Sequence, residues 1–228
     1  MEPQALRLVM TGDGSPTLQR VETGWTYRSD RGALGEAQHV FVQGADVLYA
    51  GRRARVLELG FGVGTNFAAL LVAARAAGVE HLDVHAVERA VVPGELLPCF
   101  DKQAHALACA ATRDGTASVG GFTLTLHEHE FDAFVPDAPF DTVWLDPFGP
   151  DAEPESWSPA VAKVIAASLA ADGRAVTYSA AGWVRRNFAA AGLFAATVPG
   201  PVEGKREFTI AAHQRARLGD ARVRNVPT

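Results

Sequence analysis

The chain has 228 residues, 48% of them apolar and 21% charged, with a formal net charge of −5 at neutral pH. That composition suits one globular domain able to bury about 70% of its unfolded surface, and it does not announce a general nucleic-acid binder. The N-terminus has no basic segment leading into an apolar run. Arg75 and Lys163 interrupt the alanine-rich stretches short of membrane-spanning length, which argues against a secretory signal or a membrane span. Cys99 and Cys109 show no metal spacing and read as reduced core thiols of a cytosolic, hence cytoplasmic, protein.

The first fifty residues read as an extension containing a β-hairpin. Leu6 to Met10 alternates, Gly12-Asp13-Gly14-Ser15-Pro16 turns, and Thr17 to Val21 returns. From residue 51 onward strands and helices alternate within one structural domain. The patterns predict strands at 55–59, 82–87, 122–126, 141–146 and 173–178, with two more near 194–198 and 207–212. Helices are predicted at 65–77, 93–110, 159–171 and 183–191, and Ser158 before Pro159 supplies a capped start. The alternation implies an α/β fold with a mainly parallel sheet. Ligands in such sheets bind beyond the carboxyl ends of the strands.

The first of those ends carries the strongest motif. Val56-Leu57-Glu58-Leu59 runs into Gly60-Phe61-Gly62-Val63-Gly64-Thr65-Asn66-Phe67, a buried strand, a glycine turn and a helix start. Glycines permit positive φ and close approach of a ligand, and free N–H groups at the helix start bind anions or hydroxyls. The third glycine of a dinucleotide loop is missing, since Thr65 or Phe67 stands in its place, and no lysine completes a phosphate-binding loop. An acid two residues before the first glycine suits a ligand bearing an ammonium and repels a pyrophosphate. The motif therefore looks like the S-adenosylmethionine loop of class I methyltransferases; the alternative is a glycine turn that binds nothing.

Later strand ends add to this. Glu88 is placed to accept ribose hydroxyls, a contact shared by methyltransferases and dehydrogenases. Glu130 is a candidate for the adenine amino group, with Glu128 and Asp132 as alternatives. Asp146, delivered by a buried strand into Pro147-Phe148-Gly149-Pro150, is placed to hold and deprotonate an acceptor amine. His127-Glu128-His129-Glu130 lacks a third metal ligand, so no metal is expected. From Trp183 onward eight basic residues face three acids, leaving +5 there and −10 elsewhere. That stretch reads either as a phosphate-binding surface or as a solvated face.

Several segments together resemble the MnmC-like methyltransferases, which complete the 5-methylaminomethyl group on the wobble uridine of certain tRNAs. They are Ala33 to Phe41, Gly60 to Phe67, Asp146 to Pro150, Pro154-Glu155-Ser156-Trp157, Thr177 to Ala181, Val184-Arg185-Arg186, Ala191 to Phe194 and Gly204 to Phe208. The resemblance implies a Rossmann-like class I fold, a seven-stranded sheet whose last strand is antiparallel. It implies S-adenosylmethionine as cofactor, held by Glu58, Gly60, Phe61, Gly62, Gly64, Asn66, Glu88, Glu130 and Asp146. Asp146 and Phe148 are the expected catalytic residues. Trp157, Tyr178, Arg185, Arg186, Lys205 and Arg206 are expected on the tRNA substrate. Bifunctional members carry a fused FAD-dependent oxidase, for which this chain has no room, so the stand-alone form is expected. Where the family commonly has a lysine and an asparagine, this chain has Ala152 and Glu153, and Pro147 replaces a usually small residue.

Overall fold

The computed structural model describes residues 5–201, 206–219 and 221–225. Two strands, β1 (Leu6–Met10) and β2 (Pro16–Arg20), form an antiparallel hairpin. Asp13 in its turn accepts hydrogen bonds from the Ser15 N–H and, at 3.0 Å, from Gly35 N–H. This ties the hairpin to the short helix α1 (Ala33–Glu36), which continues as a π-helical segment over Ala37–Gln43.

The remaining strands are β3 (Arg53–Leu59), β4 (His81–Glu88), β5 (Thr116–Val119), β6 (Phe122–Glu128), β7 (Phe140–Leu145), β8 (Leu169–Thr177), β9 (Phe194–Pro199), β10 (Glu207–Ala212) and β11 (Arg222–Asn225). They make one nine-stranded sheet in the order β11-β9-β10-β8-β7-β3-β4-β6-β5. The neighbours from β8 through β7, β3 and β4 to β6 are parallel. Strand β10 runs antiparallel to both β8 and β9. Seven of the strands reproduce the expected sheet with its antiparallel seventh strand. The sequence reading missed the two outermost, β5 and β11. A two-residue Gly120-Gly121 turn, both at positive φ, joins β5 to β6 as a hairpin.

Helices α2 (Thr65–Ala76), α3 (Lys102–Asp114), α4 (Pro159–Ser168) and α5 (Gly182–Ala190) cover the two faces. Strand alternation sends Val56 and Trp144 into one core with Phe41 and Phe67, and Leu57, Leu59, Val143 and Leu145 into the other with Ile165 and Phe188. Helix α3 starts nine residues later than the pattern suggested. Pro98 interrupts the segment, and the Asp101 carboxylate caps Gln103 and Ala104 N–H. Helix α4 ends three residues earlier than expected because Leu169 already pairs with Phe140.

Candidate functional site

The carboxyl ends of β3, β4 and β7 converge. Gly60 N–H donates to Val87 O at 2.9 Å, and Asp146 N–H to Leu59 O at 2.8 Å, so the loops after these strands leave the sheet in register. Gly60 has φ +100°, and a Cβ there would stand 2.7 Å from the Asp146 carbonyl oxygen. Only glycine lets the two loops pass so closely. Gly62 donates its N–H to Glu88 Oε2 at 2.9 Å, so the acid ending β4 clamps the glycine loop that ends β3. Gly64, at φ +73°, turns the chain into α2.

Around this junction lies a cleft lined by the glycine loop, Asn66, Glu88, Ala90, Phe131 and Asp146, among others. A second, more open cavity is lined by Thr26, Glu36, Gly149 and Tyr178, among others. Tyr27, Arg28, Asp146, Pro147 and Phe148 belong to both walls. Asp146 thus stands where two binding spaces meet.

Its surroundings are charged and dry. Asn66 Nδ2 donates to Glu58 Oε1 at 2.8 Å and to Asp146 Oδ2 at 2.7 Å. Arg28 Nη1 makes a short contact with the same Oδ2, and its Nη2 lies 3.4 Å from Glu36. Both contacts fall on Oδ2; among the described residues no hydrogen bond falls on Asp146 Oδ1. Burial raises the Asp146 carboxyl to about 6, with the Arg28 charge opposing the shift. Burial, then the Asp146 charge, lifts Glu58 well above the usual carboxylate range. Burial also raises Glu88, against the Gly62 N–H.

The structure gathers Gly60, Phe61, Gly62, Asn66, Glu88, Asp146 and Phe148 onto the first cleft. Glu58 is fully buried one layer behind that wall and reaches it through Asn66. Gly64 shapes the turn without lining the cleft. Glu130 does not fit the expected adenine contact. Its side chain is 60% exposed, 3.8 Å from Arg89, while Arg89, Ala90 and Phe131 make that end of the cleft.

Of the expected substrate residues, Tyr178 lines the second cavity and donates its hydroxyl to Pro147 O at 2.9 Å. Trp157 is buried, and its indole N–H is engaged by Phe148 O at 2.9 Å, so it braces the Asp146–Gly149 loop from behind. Arg185 is buried too, with Nη1 on the Ala180 carbonyl, because Val184 and Phe188 turn that side of α5 into the core. It is not placed to meet a phosphate. Arg186 and Arg206 are exposed, and Lys205 lies outside the described residues.

Sequence reasoning missed Arg28, Tyr27 and Glu36. Arg28 reaches Asp146 across 118 positions of chain, and no local pattern signals such a pairing. Among the described residues no group of acids, histidines and cysteines is arranged to hold a metal, and no helix is long and apolar enough to cross a membrane.

The family of S-adenosyl-L-methionine-dependent methyltransferases matches residues 103–214. The tRNA 5-methylaminomethyl-2-thiouridine biosynthesis bifunctional protein MnmC of Cupriavidus metallidurans is 32% identical over 89% of this chain and 33% of its own length. The protein of the same name from Ralstonia nicotianae is 32% identical over 92% of this chain and 35% of its own. This chain therefore spans about a third of the length of these curated relatives. The crystal structure of MnmC2 from Aquifex aeolicus superposes with a TM-score of 0.81 at 22% identity, covering 100% of this chain and 74% of that one.

The residues present fit S-adenosylmethionine. Glu58 Oε2 and Asn66 Oδ1 are buried beside the cleft with no hydrogen-bond partner among the described residues. With Glu88 and Asp146 they set acceptors around Arg28 on one side of the cleft, which suits a ligand with an ammonium end, while Arg20 and Arg89 on the cleft wall pair with Glu153. A glycine loop at a helix start, an acid ending β4 and an acid between two cavities agree with these sequence matches: the chain belongs to the MnmC-like family of S-adenosyl-L-methionine-dependent methyltransferases.

Proposed function

We propose that the protein N-methylates 5-aminomethyl(-2-thio)uridine at the wobble position of tRNA, giving the 5-methylaminomethyl form. The observation that carries this reading is the placement of Asp146 between two cavities, one walled by the glycine loop and the other open to an acceptor. The names of the curated relatives supply the substrate class. Residues 1–50 are taken as an extension packed on a catalytic part formed by 51–228, with the extension contributing Tyr27 and Arg28 to the site.

When bound, the cofactor would supply an electrophilic methyl on its sulfonium, leaving as the thioether once the amine has taken that methyl. The glycine loop and Glu88 would hold its adenosine part, and Asn66, backed by Glu58, would face its charged amino acid end. Asp146 works on the acceptor. An alkylammonium cannot attack until it loses a proton, and a carboxylate of pKa about 6 is mostly ionised at neutral pH and able to accept one. Arg28 and Asn66 fix its Oδ2, which leaves Oδ1 for the amine. Phe148, against Tyr27 at 5.1 Å between ring centroids, forms an apolar wall that limits water. Alignment of donor and acceptor supplies most of the remaining acceleration.

A small-molecule amine as acceptor is the second reading. It is favoured by the burial of Arg185 and by Glu153, an acid on the cleft wall near the family's usual lysine. Methyl transfer to tRNA bearing 5-aminomethyluridine, followed by mass spectrometry of its nucleosides, separates the two. Appearance of 5-methylaminomethyluridine supports the tRNA reading. A mass unchanged at that nucleoside, with turnover on simple amines, would replace it.

A further inference from the structure

The segment that carries Tyr27 and Arg28 begins with a tryptophan that the reaction above does not use. Trp25 is 40% exposed, whereas Trp144 and Trp157 are buried and Trp183 is half-buried. Its ring lies 6.0 Å from that of Phe148 between centroids, and the Arg20 guanidinium sits 4.2 Å over the same Phe148 ring. The next two residues, Thr26 and Tyr27, already line the acceptor cavity. Trp25 is therefore a large aromatic surface at the rim of that cavity, one residue from its wall.

This position is held by the backbone. The Trp25 carbonyl accepts from Arg20 N–H at 2.8 Å, and Trp25 N–H donates to Thr23 Oγ1 at 3.3 Å. Gln19 bridges Thr26 as a β pair and donates its side-chain amide to Gly24 O at 2.7 Å. Leaving an indole partly in water forgoes stabilisation that burial would give. Fixing it there makes sense where a flat ligand completes the burial. Bases splayed out of single-stranded RNA loops stack on aromatic rings and guanidinium planes, and do so without regard to base identity.

We propose that Trp25, with Arg20 beside it, is a nucleobase-stacking site. It takes the face of the nucleotide next to the one whose amine enters the acceptor cavity. This rests on RNA being the acceptor. It accounts for how a chain of net negative charge grips an RNA loop near the site when Arg185 is buried.

The test compares the wild type with Trp25→Ala and Trp25→Phe on two acceptors, an anticodon stem-loop bearing 5-aminomethyluridine and the free nucleoside 5-aminomethyluridine. Melting temperature and S-adenosylhomocysteine affinity establish that each variant is folded. Stacking predicts that Trp25→Ala lowers kcat/KM for the stem-loop about ten- to a hundredfold more than for the nucleoside, chiefly through KM. Trp25→Phe should recover most of that difference. Equal losses on both acceptors would mean that Trp25 only props Phe148, and would overturn the proposal. So would a stem-loop rate that Trp25→Ala leaves intact. A wild type that methylates other amines but neither uridine acceptor overturns the RNA reading itself, and the stacking site with it.

Discussion

Replacing Asp146 by asparagine tests the chemistry most directly, because the change is nearly isosteric and removes the ability to take a proton and balance a developing ammonium, together with the charge that pairs with Arg28. The wild-type carboxyl has a pKa of about 6. It is then about nine-tenths ionised at pH 7 and about one-tenth at pH 5, so the wild-type rate should fall tenfold per unit on the acid side of 6. Above that it should be flat until the acceptor ammonium itself begins to lose its proton, at about 9 to 10 by analogy with a lysine amine. In Asp146→Asn no residue accepts the proton, and only the already neutral amine reacts. The rate at pH 7 should drop by about 10²–10⁴ and then rise tenfold per unit up to pH 9. The gap to wild type therefore shrinks about a hundredfold across that range. Single-turnover methyl transfer from pH 5 to pH 9 or so, at saturating cofactor, reads both limbs. A flat profile in the asparagine variant, or a rate near wild type at pH 7, would remove Asp146 from proton transfer. An equal loss of cofactor affinity would make it a cofactor ligand.

Glu88→Ala removes the acceptor of the Gly62 and Ala90 N–H groups as well as the proposed ribose contact; calorimetry should show cofactor affinity falling about ten- to a hundredfold. Arg28→Ala leaves the Asp146 charge buried without its main counter-ion, so the acid limb of the rate profile should move to higher pH than in wild type. Thermal unfolding should show a loss of about 3–5 kcal/mol, and Arg28→Lys should restore part of both. Gly60→Ala puts a Cβ 2.7 Å from the Asp146 carbonyl oxygen at a φ of +100°. Denaturant unfolding should show a loss of at least about 1–3 kcal/mol. Cofactor should recover some of it by mass action, about 2.7 kcal/mol at a hundredfold excess over Kd.

What the sequence made legible was local. A strand running into a glycine turn, acids at the ends of successive strands and an acid before Pro-Phe-Gly all have short-range signatures, and Glu58, Glu88 and Asp146 emerge from them. The resemblance to the family gave the seven-stranded sheet with its antiparallel last strand. What stayed hidden depends on contacts between distant parts. Arg28 and Asp146 meet only because the β1–β2 hairpin docks through Asp13 onto α1 and brings 25–29 over the strand ends. Arg185 and Arg186 look alike in a list of charges. The spacing of Val184 and Phe188 on α5 decides that the first is buried and the second exposed. That spacing was readable, as was Gly120-Gly121 for the missed hairpin. Trp157 was assigned a substrate contact by kinship, whereas its indole braces the backbone of the loop that substrate would meet.

The arrangement explains why an acidic cluster is kept in so dry a place. Glu58, Asp146 and Glu88 each pay desolvation, and the first two also repel one another. Among the described residues the cation in contact with Asp146 is Arg28, shared with Glu36, while Arg20 and Arg89 on the cleft wall are taken up by a further acid, Glu153. A cluster that is short of positive charge is poorly balanced as a structural device, since well-packed apolar residues would stabilise the fold at least as well. It is well suited to a ligand carrying a sulfonium and an ammonium, and to an amine that becomes cationic as it is methylated. Charge missing from the protein is charge the reacting partners bring. The repulsion among these buried acids is then also what favours the developing ammonium, where preorganised charge contributes most to catalysis.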